Sequence, residues 1–233
     1  HNAKVISFFE GNESERLIEL TTILKSQKDI LVVTDAGAPG ISDPGYRLIR
    51  AALAENIQVK VLPGPSAVTT ALLLSGLPTD RFCFEGFPPR TKGARSKWFN
   101  ELAQQERTII FFEAPHRIVE SLMDASESFG SDRNGAICRE MSKHYEEVVR
   151  GPIPELITWA NSKDILGELT IVIEGFDPGS REFSEEELIK LVLKQEAAGE
   201  SRKEAIVQVA KENAVSKRVV FDAMVAYKSG DKI

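Results

Sequence analysis

The stretch VVTDAGAPGISDPG, residues 32–45, decides how this chain is read. An apolar run, Ile30-Leu31-Val32-Val33, delivers a loop rich in glycine and poor in bulky side chains. Gly37, Gly40 and Gly45 lack a Cβ and tolerate positive φ, so a ligand can approach the backbone closely there. The pattern recurs downstream, where ValLysValLeu (59–62) feeds ProGlyProSerAla (63–67) and a helical pattern begins at Ser66. Two loops therefore open at one sheet edge, where open α/β sheets take their ligands. The first is neither a P-loop nor a dinucleotide loop, because GxxxxGK[ST] and GxGxxG are both absent. Alone, residues 37–40 read as a structural turn; joined to ProSerAla and to GluAlaProHisArg (113–117), they read as a ligand site.

Working outward, helical and strand-like patterns alternate. Helices are expected at 12–20, at 44–53 with Pro44 suited to the first turn, and at 66–75 with Gly76 as the stop. Strands are expected at 30–33, 59–62, 82–85, 108–112, 136–140 and 169–173, with helices over 98–105 and 116–129. This alternation predicts parallel α/β layers, and the continuous apolar runs predict a sheet covered on both faces. GlyLeuProThrAsp (76–80) reads as a hinge and AspProGlySer (177–180) as a linker, dividing the chain into 1–78, 79–177 and 178–233. The last part differs in kind. Ser184 with Glu187 and Ser201 with Glu204 form capping boxes, and Ser216 suits a third cap. Leu188, Leu191 and Val192, then Ile206, Val209 and Ala210, then Val220, Met224 and Tyr227 recur at helical spacing. The reading is a helix-turn-helix-like bundle of three helices, serving either packing or RNA contact.

The chain has 233 residues, 42% hydrophobic and 27% charged, with a net charge of −6. That balance excludes a protein that coats nucleic acid nonspecifically, since such binding runs on phosphate neutralisation. RNA contact would have to be local: at Arg81, Arg90, Lys92, Arg95 and Lys97, or at Lys203, Lys211, Lys217 and Arg218. Solvated faces are the alternative for both sets. No apolar run approaches the roughly 20 residues that cross a membrane, and no basic-then-apolar leader precedes Val5, which points to the cytoplasm. Cys83 and Cys138 sit in strand-like runs without CxxC or His spacing, so they read as buried thiols, with no metal site expected.

Five segments, in order, carry a resemblance: AspAlaGlyAlaProGlyIleSerAspProGly (35–45), ProGlyProSerAla (63–67), PhePheGluAlaProHisArg (111–117), CysArgGluMetSerLys (138–143) and GlyGluLeuThrIleValIleGluGly (167–175). Together they resemble the tetrapyrrole-methylase superfamily, and within it the branch that methylates a cytidine ribose 2′-oxygen in small-subunit ribosomal RNA. The resemblance runs from about Val5 to the C-terminus. It implies two α/β domains with a cofactor cleft between them, the helical tail, S-adenosyl-L-methionine as cofactor, and small-subunit ribosomal RNA within the assembled subunit as substrate. It also implies a homodimer paired through the α/β halves, for which the apolar stretch Ala71 to Leu74 is a candidate cover.

By that resemblance the backbone around Gly37, Ala38, Pro39 and Ile41 holds the cofactor's amino-acid end, with Ser66 and Ala67 alongside. Phe112, Glu113, Cys138, Arg139, Glu168, Leu169 and Thr170 frame its adenosine. The base for the 2′-hydroxyl proton is one of Asp35, Glu113, His116 and Glu140, each at or near a strand's carboxyl end. Asp35 is equally suited to ordering its turn, and Glu113 to pairing with Arg117. In the loop 86–97, Phe87 can stack on a base while Arg90, Lys92 and Arg95 meet phosphates, and Pro88 and Pro89 stiffen the entrance. A plain basic loop is the alternative. Rival functions are a methylase for a tetrapyrrole or another small acceptor, and a noncatalytic RNA-binding assembly factor; the basic loop and helical tail favour RNA. The family pattern also holds a strand, a ThrProIleGlyAsnLeu-like loop and a helix upstream of the segment beginning at His1, and a bulkier apolar residue at position 40.

Overall fold

The computed structural model describes residues 4–35, 37–178, 183–213 and 215–228, with the backbone alone at Lys211 and Glu212. Gly179 and Ser180 of the expected linker, and the Lys211 side chain, lie outside the described residues. Residues 1–175 form one compact unit and 176–233 a second. In the first unit the elements are α1 (Glu13–Lys25), α2 (Tyr46–Ala54), α3 (Ala67–Ser75), β1 (Phe82–Phe84), α4 (Lys92–Leu102), β2 (Thr108–Glu113), a 3-10 turn (Pro115–Arg117), α5 (Ile118–Phe129), β3 (Asn134–Arg139), β4 (Glu147–Pro152), α6 (Ile153–Asn161) and β5 (Leu169–Ile173). The second holds α7 (Glu185–Ala197), α8 (Arg202–Glu212) and α9 (Lys217–Lys228).

The five strands form one sheet in the order β1-β2-β5-β3-β4. Its two faces follow from the period-2 alternation of the strands. Ile109, Phe111, Ile137, Leu169, Ile171 and Ile173 point to one side, where they pack with Phe99 of α4, Ile118, Leu122 and Phe129 of α5, and Leu156 of α6. Ile110, Ala136, Cys138 and Val172 point to the other, against Val68, Ala71 and Leu72 of α3. Both faces are covered, as the apolar runs predict. Ala71 and Leu72 are therefore core residues, 0% and 4% exposed, and only Leu73 of that stretch stands out at 73%. This removes Ala71 and Leu72, though not Leu73, as an interface cover.

The sheet is mixed, where the sequence reading expects parallel strands. Only β1 and β2 run parallel; β5 enters antiparallel between β2 and β3, and β4 pairs antiparallel with β3. Apolar pattern sets burial, whereas strand direction is set by the connections. The short β3–β4 link cannot make the crossover that a parallel pair needs. β4 and α6 escape the sequence reading: β4 is a half-buried edge, and α6 carries a proline in its first turn.

Segments 30–33 and 59–62 form no strand among the described residues, and they leave Leu31, Val33, Val61 and Leu62 between 77% and 82% exposed. A parallel strand gains stability only from paired neighbours and covered faces, and neither segment has a paired neighbour here. Gly45 rather than Pro44 precedes α2, and α4 starts at Lys92, so Lys92, Arg95 and Lys97 lie on a helix and the loop after β1 ends at Thr91.

The tail folds as its capping boxes predict. Ser184 accepts from the Glu187 amide and Ser201 from the Glu204 amide, each with the reciprocal glutamate bond. Val219 N–H donates to Ser216 Oγ at 3.3 Å. Leu188, Val192, Ile206, Val209, Ala210, Val220 and Met224 form the bundle's core, whereas Tyr227 is exposed.

Candidate functional site

β1, β2 and β3 run in one direction, because β1 parallels β2 while β2 and β3 each oppose β5. Their carboxyl ends therefore open at one edge, which is also where β5 begins. Two cross-strand rows meet there. Phe112, Thr170 and Cys138 stand side by side on the α3 face, and Glu113, Leu169 and Arg139 form the next row. Of the residues implied to frame an adenosine, the sheet brings these six together, with Glu168 one residue beyond. Phe112 also carries Phe84 edge-on at 4.8 Å and Phe87 at 5.5 Å between ring centroids. Ser66 and Ala67 stand at the start of α3, which packs across β2, β5, β3 and β4. Ser66 is a residue of N-cap type whose side chain makes no capping bond.

The glycine loop is folded on itself. Gly40 N–H donates to Pro44 O at 3.2 Å, Ile41 N–H to Ala38 O at 3.2 Å, and Thr34 Oγ1 to Asp43 Oδ2 at 2.9 Å. At Gly45, with φ of 138°, an added Cβ would lie 3.2 Å from Gly40 N, so the closure requires glycine. Gly37, with φ of 70°, has open space where its Cβ would be. The closure is braced by Glu13 of α1, 8% exposed, which accepts from Gly45 N–H at 3.2 Å and faces Arg47 at 3.5 Å. Nothing in the local pattern of α1 singles out Glu13. This loop comes near the one after β1, since Ser42 Oγ is 4.0 Å from where a Gly86 Cβ would sit.

The four candidates for base separate clearly. Asp35 and His116 are exposed. Glu113 is 2% exposed, and its carboxylate is occupied by Ser121 Oγ, by the Ala114 amide at 2.7 Å and by Arg117 at 3.4 Å. That closes Glu113 as a proton acceptor and makes it a structural anchor. Glu140 sits in the left-handed region at φ of 48°, accepting from the Glu168 amide at 2.9 Å and from Lys143 Nζ at 2.9 Å. The Glu168 amide and then the Lys143 ammonium hold its carboxyl below the ordinary carboxylate value, which makes it a weak base. An added Cβ at Gly167 would collide with this carboxylate, so glycine there lets Glu140 close the β3 end onto the β5 start.

The basic loop divides as well. Phe87 is 54% exposed, and Arg90 and Lys92 are exposed. Arg95 is not: it is 2% exposed, with Nε on Asp124 Oδ2 at 2.7 Å and Nη2 on Glu120 at 3.2 Å, so it cannot meet a phosphate. Arg117 Nη2 donates to Pro88 O at 2.8 Å and Pro89 O at 2.9 Å. Ser121 and Asp124 escape the sequence reading, although their signal is present: both are polar residues at buried positions of an apolar helix face. Burial pushes the Cys138 thiol up to about 11, and burial with the nearby Glu85 does the same to Cys83, so neither is a nucleophile at neutral pH. A polar depression of about 320 Å³ between Arg81, Gln104 and Arg107 lies at the opposite end of β1 and β2, away from these groups.

Residues 3–157 match the family model for Tetrapyrrole (Corrin/Porphyrin) Methylases. The chain is 46% identical over 222 residues to a Mycobacterium bovis protein named Ribosomal RNA small subunit methyltransferase I, covering 95% of this chain and 76% of that one. It is 39% identical to the Bacillus subtilis protein of the same name, covering 94% and 76%. Among solved structures, the methyltransferase CobJ superposes with a TM-score of 0.54 at 15% identity over 74% of each chain. Uroporphyrin-III-C-methyltransferase from Thermus thermophilus gives 0.52 at 16% identity over 73% of this chain and 74% of that one. These two likenesses are of fold.

Proposed function

Because the chain belongs to the tetrapyrrole (corrin/porphyrin) methylase family, we propose that it transfers a methyl group from S-adenosyl-L-methionine to the 2′-hydroxyl of a cytidine ribose in small-subunit ribosomal RNA. The observation that carries this reading is the convergence at one sheet edge of a folded-back glycine loop, an aromatic wall at Phe112 and an exposed ring at Phe87, in a loop that also exposes Arg90. The names of the relatives point to the RNA; the cytidine 2′-oxygen follows from the motif resemblance.

The residues present fit such a cofactor. Open space at Gly37 and the exposed residues Ala38 and Ile41 admit an amino-acid end, while half-buried Phe112 offers an aromatic wall. Gly37, Ala38, Pro39, Ile41, Ser66 and Ala67 would hold one end, and the two cross-strand rows with Glu168 the other, with residues 1–78 and 79–177 as the two walls. When bound, S-adenosyl-L-methionine supplies the methyl group as a sulfonium electrophile. The protein supplies alignment, which in well-oriented systems reaches effective molarities of about 10⁵–10⁸ M. Phe87 stacks on an unpaired base, and Arg90 and Lys92 meet the flanking phosphates. The 2′-hydroxyl proton passes to an exposed acceptor, Asp35 or His116, since Glu113 and Glu140 are spent on structure. A homodimer belongs to the proposal, with its interface away from Ala71 and Leu72.

Calorimetric titration with S-adenosylhomocysteine tests the site. Binding that Ser66→Trp abolishes without lowering the melting temperature supports it; wild-type protein that is folded yet gives no heat at high micromolar ligand refutes it.

A further inference from the structure

We propose that Arg117 and Arg95 are positioning residues that hold the loop from Gly86 to Thr91 in the shape that receives substrate. The proposal rests on the RNA reading of that loop. Pro88 and Pro89 have no backbone N–H, so this part of the loop cannot brace itself through its own amides. Only its carbonyls offer handles, and arginines take them. Arg117 Nη2 reaches both Pro88 O and Pro89 O, at 2.8 and 2.9 Å, and Arg95 Nη1 approaches Arg90 O at 3.5 Å. Each guanidinium stands on a buried acid: Glu113, fixed by Ser121, lies under Arg117, and Asp124 lies under Arg95. Both acids are nearly inaccessible, at 0% and 4% side-chain exposure.

Stability does not explain this arrangement. A buried ion pair recovers its desolvation cost at best, and an apolar pair of equal volume is commonly as stable. Arg117 is also left incompletely paired: its buried Nε has no hydrogen-bond partner among the described residues, while Nη2 serves the loop. Fixing a conformation is a use of buried ion pairs that the geometry here does support. The loop starts tied to the sheet, with Phe112 N–H on Gly86 O at 2.8 Å, and its far end runs into α4, which carries Arg95. Between these ends the two arginines fix the proline carbonyls. Phe87 is then held against Phe112 with 54% of its surface still open, and Arg90 of the same loop is exposed. A preformed loop spares RNA the ordering cost of folding it on binding.

Arg117→Lys keeps a charge over Glu113 but replaces the rigid guanidinium, whose Nη2 donates to both carbonyls, with a flexible ammonium; Arg117→Met removes the charge and the donors, and Arg95→Lys probes the second clasp. Three quantities decide the matter: hydrogen exchange of the Gly86, Phe87, Arg90 and Thr91 amides, the calorimetric Kd for S-adenosylhomocysteine, and KM for small ribosomal subunits. Arg117→Lys should melt near the wild type and keep its S-adenosylhomocysteine affinity. It should exchange the loop amides faster while those of β2 and β5 stay protected, and raise KM roughly tenfold with kcat less affected. Unchanged loop exchange in Arg117→Lys and Arg117→Met, both folded, overturns the clasp. Equal losses of melting temperature, S-adenosylhomocysteine affinity and KM overturn it too, by marking a general structural role. Faster loop exchange in variants of a wild type that does not use ribosomal subunits supports the clasp and refutes only the RNA reading.

Discussion

Replacing Arg95 by methionine is expected to destabilise the first unit severely, although its position in sequence suggests a dispensable surface charge. Arg95 and Asp124 are 2% and 4% exposed and joined at 2.7 Å, so Arg95→Met leaves a carboxylate buried without a counter-charge. Breaking one side of such a pair costs about 3–5 kcal/mol. The second partner, Glu120, is 71% exposed and adds little. At roughly 2–4 °C per kcal/mol for a domain of this size, the melting temperature should fall by about 6–20 °C. Arg95→Met with Asp124→Leu removes both charges and should recover most of the loss, because an apolar pair of similar volume has no charge to desolvate. Urea unfolding followed by tryptophan fluorescence reads this unit alone, since both tryptophans, Trp98 and Trp159, lie within it. A single variant within about 1 kcal/mol of wild type, or a double variant no better than the single, would refute the argument.

Arg90→Ala with Lys92→Ala should lower the slope of log RNA affinity against log salt by about 1.4–1.8, two contacts at about 0.7–0.9 each. Adding Arg95→Met together with Asp124→Leu, which removes the buried charges as a pair, should leave that slope unchanged, and a further drop of a full contact would restore Arg95 to the phosphate set. Cys138, buried and with its thiol pushed to about 11, should resist alkylation at about pH 8 until urea unfolds the chain, as thiol titration will show. Glu147 is held below the ordinary carboxylate value of 4.5 mainly by Lys163, with Trp159 and Arg139 adding to it. The stability it contributes is therefore present above that value and lost as pH falls through its lower folded value. Glu147→Gln should melt lower at neutral pH and lose less on acidification, and parallel acid limbs for variant and wild type would contradict this.

What the sequence disclosed, and what it withheld, divides along physical lines. Burial was legible: the apolar runs at 108–112, 136–140 and 169–173 are the three central strands, covered on both faces. Local chemistry was legible too, since Ser184, Ser201 and Ser216 cap the tail helices where the residue pattern puts them. Strand direction was not, because an apolar run reads the same either way and β5 inserts antiparallel through connections that periodicity does not encode. Segments 30–33 and 59–62 have the composition of strands, but pairing is a property of neighbours and not of the segment. The cross-strand rows at Phe112 and Glu113 gather residues that the motifs already marked. Arg95 misled because charge suggests solvent, while the acid that buries it, Asp124, comes from α5, distant in sequence. Glu13 gave no motif, and only tertiary closure reveals it, whereas Ser121 showed only as a polar residue on an apolar helix face.

Methyl transfer to assembled small ribosomal subunits tests the central claim most directly. The chain should be supplied with S-adenosylmethionine labelled in its methyl group, naked ribosomal RNA run in parallel, and the RNA digested to nucleosides. Label is expected in a single product, 2′-O-methylcytidine, with the assembled subunit the better substrate. Label in any other nucleoside, or folded protein that binds S-adenosylhomocysteine yet transfers no methyl group to either RNA, would contradict it.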